Sequence, residues 1–205
     1  VDDCSTDNSV DVLEKYRDYP NVKIIALKEN QGYVNSSNLG VSQASGEYII
    51  FSQCDDYCDR DQIKILLSKF QLENSVGVVY SSSDLVDEQG AFLRNDFSFR
   101  EKKFQEQCRS DCLIESEEMQ MYLSVHCVIP NLSAAMIKKE LFYKVGGLTE
   151  KYKVCADWDL WCKLSRNCDF YYIRAPYNYF RMHSTTIRNL NKIDQQIKEI
   201  IDLVY

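Results

Sequence analysis

From residue 22 to residue 86 short apolar runs alternate with stretches of helical spacing. Residues 22–27 follow Pro20-Asn21 and read as a strand, 33–44 as a helix ending before Gly46, and 47–52 as a second strand. Residues 61–72 then have helical spacing, and 76–86 are rich in β-branched residues. Ahead of these, Val1 reads as the last residue of a strand, and Ser5 or Thr6 as the cap of a helix over 9–16. The order strand, helix, strand, helix, strand, helix, strand predicts an α/β fold with a mostly parallel central sheet and helices on both faces, of the Rossmann-like kind.

One strand end carries chemistry. Glu47-Tyr-Ile-Ile-Phe51 runs into Ser52-Gln53-Cys54 and then into the adjacent carboxylates Asp55 and Asp56. In open α/β sheets ligands bind where the carboxyl ends of strands meet loops. Neighbouring carboxylates repel unless a cation lies between them, and hard cations such as Mg²⁺ or Mn²⁺ take carboxylate oxygens together with substrate phosphates. The segment reads as a metal–phosphate site; the alternative is a turn and cap for the helix over 61–72.

Composition narrows the class. The 205 residues are 45% hydrophobic and 27% charged, ordinary for one globular domain. A net charge of -7 without a basic block argues against nucleic acid as a partner. No apolar stretch approaches the ~18 residues of a membrane span. Nine cysteines are scattered without a C-x-x-C pair and with only two histidines, which favours reduced thiols in the cytoplasm over zinc.

Beyond residue 86, Glu88-Gln-Gly90 turns the chain back into 91–93, and 95–130 look irregular except for a helix over 116–123 with Ser116 as N-cap. A strand over 132–137, a short helix stopped by Gly146-Gly147 and a helix over 156–166 follow. Phe170-Tyr-Tyr-Ile173 and Tyr177-Asn-Tyr-Phe180 predict a hairpin around Ala175-Pro176, and 187–204 a final amphipathic helix. Arg181 and His183 alternate on one strand and so share a face.

Several segments match one family in order. Val1-Asp-Asp-Cys-Ser-Thr-Asp-Asn-Ser9 resembles the VDDGSTDNS segment of inverting glycosyltransferases of family 2, which have the GT-A fold. Asn30-Gln-Gly-Tyr-Val-Asn-Ser-Ser-Asn38-Leu-Gly40 resembles their N-x-G-x-x-x-A-x-N-x-G helix, and Ala44 to Asp56 their A-x-G-[ED]-Y-[IL]-x-F-L-D-x-D-D strand. Asn131-Leu-Ser-Ala-Ala-Met136 through Gly146-Gly147-Leu148 is similar to the acceptor-side strand and its F-x-x-[VI]-G-G-[FL] turn. Ala156-Asp-Trp-Asp-Leu-Trp161 resembles [EA]-D-x-[DE]-[LF]-W, and Tyr179-Phe-Arg-Met-His183-Ser the closing Y-R-x-H-x-x-S. Two departures stand out. The family's opening P-x-[YF]-N strand has no counterpart, so 1–205 is expected to be one GT-A domain lacking its first strand. The first carboxylate of D-x-D-D is Gln53.

The resemblance implies transfer of a sugar, with inversion, from a nucleotide-diphosphate donor of UDP or dTDP type to a hydroxyl of a glycan, lipid-linked glycan or protein, in polysaccharide biosynthesis. Asp2 or Asp3 would accept a hydrogen bond from the base, and Asn38 would shape the nucleotide pocket. Asp55, Asp56 and His183 are the metal candidates, and Asp55 and Arg181 face the diphosphate. Asp157 matches the catalytic base, with Asp159 as second candidate; a helix N-cap is the alternative for Asp157. Trp158 would stack on an acceptor sugar while Trp161 packs in the core, and His126 reads as a core histidine. The expected location is cytoplasmic, with the inner face of a membrane as the alternative. Two readings compete: a nucleotidyltransferase, which needs a Gly-rich phosphate loop, and a non-catalytic remnant of a glycosyltransferase.

Overall fold

The computed structural model describes residues 1–183 and 193–204. The strands are β1 (Tyr48–Ile50), β2 (Tyr57–Cys58), β3 (Val76–Val86), β4 (Phe92–Asn95), β5 (Cys112–Ile114), β6 (Ala135–Lys138) and β7 (Asp169–Arg181). The helices are α1 (Ser9–Glu14), α2 (Tyr33–Gln43), α3 (Gln62–Lys69), α4 (Lys102–Gln107), α5 (Ser116–Leu123), α6 (Lys139–Lys144), α7 (Ala156–Ser165) and α8 (Ile193–Val204). The strands form one sheet in the order β1-β6-β3-β7-β2, with β4 added to β3 and β5 to β7.

The α/β class holds, but the sheet is mixed rather than mostly parallel. Only β3 and β7 pair in parallel among the named strands. β6 lies antiparallel between β1 and β3, which therefore run the same way. The cause is the excursion over residues 87–134. A parallel neighbour needs a crossover that returns the chain to the start of the sheet. This excursion instead delivers β6 from the carboxyl end of β3.

The pleat divides the core. Val78, Tyr80, Ile137, Phe170 and Tyr172 face a large cluster with α5, α6 and α7. Val79, Met136 and Ile173 face a smaller one with Leu66 and Phe70, from α3 and its C-cap. β3 is the central strand, and Ser81, Ser82 and Ser83 at its middle are fully buried.

Other expectations are corrected. Residues 170–180 form no hairpin: β7 is a single strand of 13 residues along β3. Its register slips between Ser81 and Ser82, which pair with Ile173 and Pro176. A bulge thus absorbs a proline that could not donate to the ladder. The strand over 22–27 reduces to one parallel bridge, Asp2 with Ala26, closed by Asp2 N–H to the Ile25 carbonyl and Leu27 N–H to the Asp2 carbonyl. The helix at 9–16 stops at Glu14 and has Asn8, not Ser5 or Thr6, as its N-cap residue. Ser116 opens α5 behind the N-cap residue Glu115, and its hydroxyl donates to the Ser165 carbonyl. The strand over 132–137 begins as a 3-10 turn, Leu132–Ala134. The final helix is described from Ile193; the start expected for it at 187 lies outside the described residues. Among the described residues no helix is long and apolar enough to cross a membrane.

Two backbone positions test this packing. A Cβ on Gly77 would lie 2.2 Å from Leu141 Cδ1 and 2.4 Å from Cys168 Sγ, so β3 admits α6 and the start of β7 only because this residue has no side chain. Gly77→Ala should lower unfolding free energy by about 1–3 kcal/mol through overpacking, read by urea denaturation. An unchanged midpoint would show that both neighbours yield freely. Cys4 has a φ of 66°, a left-handed conformation that favours glycine. Cys4→Gly should raise stability by up to about 1 kcal/mol, the relieved strain being partly offset by the looser unfolded chain. A fall in stability would mean that the Cys4 thiol, 3.5 Å from the Lys28 carbonyl, contributes more than the strain removes.

Candidate active site

The carboxyl ends of β1, β3 and β7 lie on one side of the sheet, and the predicted residues gather there. Arg181 and His183 leave β7 beside the loop that follows β1. His183 Nε2 lies 3.1 Å from Asp55 Oδ2. Arg181 Nε donates to the Asp55 carbonyl at 2.9 Å, and its Nη1 to the carbonyls of Glu88 (2.6 Å) and Asp87 (3.3 Å). Its guanidinium therefore fastens the β1 loop to the turn between β3 and β4, and it also lies over the Tyr57 ring, 5.5 Å from the centroid.

Asp56 points inward, away from this pair. One oxygen accepts from Asn131 Nδ2 at 2.7 Å and Ser133 Oγ at 2.5 Å, the other from the Arg181 amide at 3.0 Å. Burial pushes its pKa up to about 6, against the opposing pull of the Ser133 and Arg181 donors. Asn131, which is buried, accepts from Asn178 Nδ2 at 3.0 Å, and Asn178 donates to Ser83 Oγ at 2.8 Å. Next to it Asp96 Oδ1 accepts from Ser82 Oγ and the Ser83 amide, while Arg100 donates to Oδ2 through Nε (2.8 Å) and Nη2 (2.7 Å). The polar middle of β3 is thus tied to the loops above it.

Asp2, Asp3 and Asn38 are engaged with backbone. Asp2 accepts from the Ser5 hydroxyl and amide, which hold its carboxyl below the usual range. Asp3 accepts from the amides of Gln31 (2.7 Å) and Gly32 (2.8 Å), the residues leading into α2. Asn38 clamps Leu148 by donating to its carbonyl at 2.9 Å and accepting from its amide at 3.1 Å. Gly147 before it has a φ of +68°, and a Cβ there would lie 2.8 Å from Asn38 Oδ1.

Asp157 opens α7 at a cavity of about 320 Å³, shared with His126, Trp158, Phe180, Met182 and Gln196. One of its oxygens accepts from the Trp158 amide at 2.8 Å. Asp159 is turned away and pairs with Lys163 at 2.8 Å, which in turn donates to the Gly147 carbonyl. The two carboxylates do not meet in one site. Trp158 is not an exposed stacking platform: it is 7% exposed, and its indole N–H donates to the Leu123 carbonyl at 3.0 Å. His126 is no core residue. It is half-buried at the cavity, edge-on to the Trp158 ring with centroids 6.4 Å apart.

Sequence reasoning missed Ser133, Asn178, the Asp96–Arg100 pair and Glu199. Asn131 and Ser133 lie inside a segment singled out for other reasons. Asn178 and Glu199 carry no local signal, because their main partners are far away in the chain, whereas Asp96 and Arg100, four residues apart, offer an i,i+4 charge spacing as a signal.

The family model described as "Glycosyl transferase family 2" matches residues 1–145. Chondroitin synthase of Pasteurella multocida (strain Pm70) is 27% identical over 192 residues, which cover 92% of this chain and 18% of that protein. Hyaluronan synthase of Pasteurella multocida is 27% identical over 164 residues, 80% of this chain and 15% of that protein. The chain thus spans less than a fifth of the length of either synthase. Among solved structures, Staphylococcus aureus TarS 1-349 in complex with UDP-GlcNAc superposes with a TM-score of 0.74 at 20% identity, over 99% of this chain and 54% of that one, which shows the fold. With the matched segment covering more than half of its residues, the chain belongs to glycosyl transferase family 2 and has the GT-A fold.

Proposed function

We propose that this domain transfers a sugar, with inversion, from a UDP- or dTDP-type nucleotide donor to a hydroxyl of a glycan acceptor, with Asp157 as general base. One observation carries the reading. Met182 lines the cavity that holds Asp157, while its neighbours Arg181 and His183 contact Asp55 on the β1 loop. A carboxylate–imidazole pair and a cavity-facing carboxylate therefore meet around the end of one strand, as a donor site next to an acceptor site requires. The names of the relatives, two polysaccharide synthases and a protein crystallised with UDP-GlcNAc, support a nucleotide sugar and a polysaccharide acceptor. Nine cysteines, none of them in a disulfide, suit the reducing cytoplasm.

Among the described residues no three His, Cys, Asp or Glu side chains gather, and Asp55 with His183 is the pair that would hold a divalent cation. Asp55 would supply an oxygen and His183 a nitrogen, donor types that Mn²⁺ or Mg²⁺ accepts alongside substrate phosphate oxygens. Asp56 is not part of this set, because both of its oxygens are bonded inside the protein. The cation would neutralise charge on the leaving diphosphate. Asp157 would take the proton of the attacking hydroxyl, and the pocket walls would orient that hydroxyl toward the sugar. Asp2 and Asp3 shape the nucleotide end through the turn they hold, and any contact with the base adds to those bonds.

Asp157→Asn should reduce transfer by roughly 10²–10⁴-fold while donor affinity stays unchanged, since a base acting on the acceptor proton contributes in the transition state. Turnover at the wild-type rate would return Asp157 to the role of a helix-terminal carboxylate. Calorimetry of UDP binding should show Mn²⁺-dependent affinity that chelator removes, and His183→Ala should weaken the metal's contribution at least about tenfold. Equal UDP affinity with and without chelator would exclude the Asp55–His183 pair as a metal seat.

A further inference from the structure

The N-terminus of α7, which carries Asp157, is held by a carboxylate from the far end of the chain. α7 has Cys155 as N-cap residue and no side-chain cap of its own. The amides leading into it, Lys153, Val154 and Cys155, instead donate to Glu199 of α8 at 3.0, 2.9 and 3.0 Å. Gln195, one turn earlier on α8, donates to the same carboxylate at 3.1 Å.

Glu199 is 8% exposed. A carboxylate at that depth is costly unless its oxygens are satisfied. Here four N–H donors supply the compensation, and they outweigh the effect of burial, so its carboxyl stays below the usual range. Negative charge at a helix N-terminus is favourable in its own right. The same stretch of α8 presents Gln196 and Ile200 to the cavity that holds Asp157. A second tether runs from Tyr152 Oη to Asp202 at 2.8 Å.

We propose that Glu199 is a positioning residue for transfer: by capping α7 from α8 it leaves Asp157 to face the cavity and sets Gln196 and Ile200 as the acceptor-side wall. The proposal rests on the reading of Asp157 as the base. A first-turn aspartate such as Asp157 is itself a natural partner for the amides of a helix start. Glu199 takes the three amides just ahead of the helix, Asp157 takes only that of Trp158, and a single residue, Ala156, separates Cys155 from Asp157. A displacement of that backbone by an ångström moves the base out of reach of the acceptor proton. Glu199 also lies outside the segment matched by the family model, so its role belongs to the late part of this chain.

Two measurements on the full chain test this, using Glu199→Gln, Asp157→Asn and the double variant. Amide hydrogen exchange at residues 153–155 should accelerate at least about tenfold in Glu199→Gln, while the amides of β3 keep their protection. Transfer should fall about 10²-fold with donor affinity unchanged. The double variant should be no slower than Asp157→Asn alone, because the two residues act as one unit. Glu199→Ala, should it fail to fold, leaves the isosteric glutamine variant to decide. Unchanged exchange at 153–155, losses that multiply in the double variant, or a parallel loss of donor affinity would each overturn the proposal. A wild-type chain that transfers no sugar would refute the reaction itself, and the exchange data would still report separately whether Glu199 holds the α7 start.

Discussion

A half-buried carboxylate, Asp56, joins three separated stretches of chain above the sheet. Its oxygens accept from Asn131 and Ser133, which precede β6, and from the backbone of Arg181 at the end of β7. The Arg181 guanidinium, the His183–Asp55 contact and the pairing of β2 with β7 hold the loop after β1 from its outer side. Desolvation first and the neighbouring Asp55 charge second raise the Asp56 pKa to about 6, and the Ser133 and Arg181 donors pull against both. The consequence for Asp55 is geometric. With its neighbour turned down, Asp55 is turned toward His183, and adjacent aspartates take opposite duties.

The mixed sheet follows from the same region. β6 starts at the carboxyl end of β3 and brings Asn131 and Ser133 to the top of the sheet as it arrives. A parallel strand would enter from the opposite end and leave those two side chains far from Asp56. The fully buried serines of β3 continue the seam: Ser83 meets Asn178, and Ser82 meets Asp96, itself paired with Arg100. Breaking a buried ion pair by removing one partner is costly. The seam therefore sets one arrangement of the loops around the cavity.

Local patterning made the helices and the strands of residues 47–86 legible, because apolar periodicity and turn residues act over a few positions. α5 is found at its expected bounds, 116–123. β7 was not legible as one strand, since Ala175-Pro176 is good turn chemistry and only the pairing with β3 makes a bulge the better solution. Asp55, Arg181 and His183 were placed together by strand ends and alternation. Their division of labour was not readable: whether a guanidinium meets a diphosphate or three backbone carbonyls depends on loops far away in sequence. Trp158 shows the same limit. A tryptophan next to a candidate base suggests a sugar platform, yet the Leu123 carbonyl lies within reach and draws the indole inside.

The chain divides its site by position. Residues 1–145, which the family model spans, supply Asp3 and the start of α2, the Asp55–Asp56 loop and the Asn131–Ser133 brace. The later part supplies α7 with Asp157, the end of β7 and α8. The two parts meet where Asn38 and Lys163 grip the Gly147–Leu148 corner from either side, Asn38 through the Leu148 peptide groups and Lys163 through the Gly147 carbonyl. Asp159 matters here through Lys163, whose ammonium it holds at 2.8 Å. Of the two first-turn carboxylates of α7, one therefore anchors the helix through Lys163 to the Gly147 corner, and the other lies beside the cavity. The cavity wall given by α7 and α8 is thus built from contacts separate from those that hold the pair at Asp55 and His183.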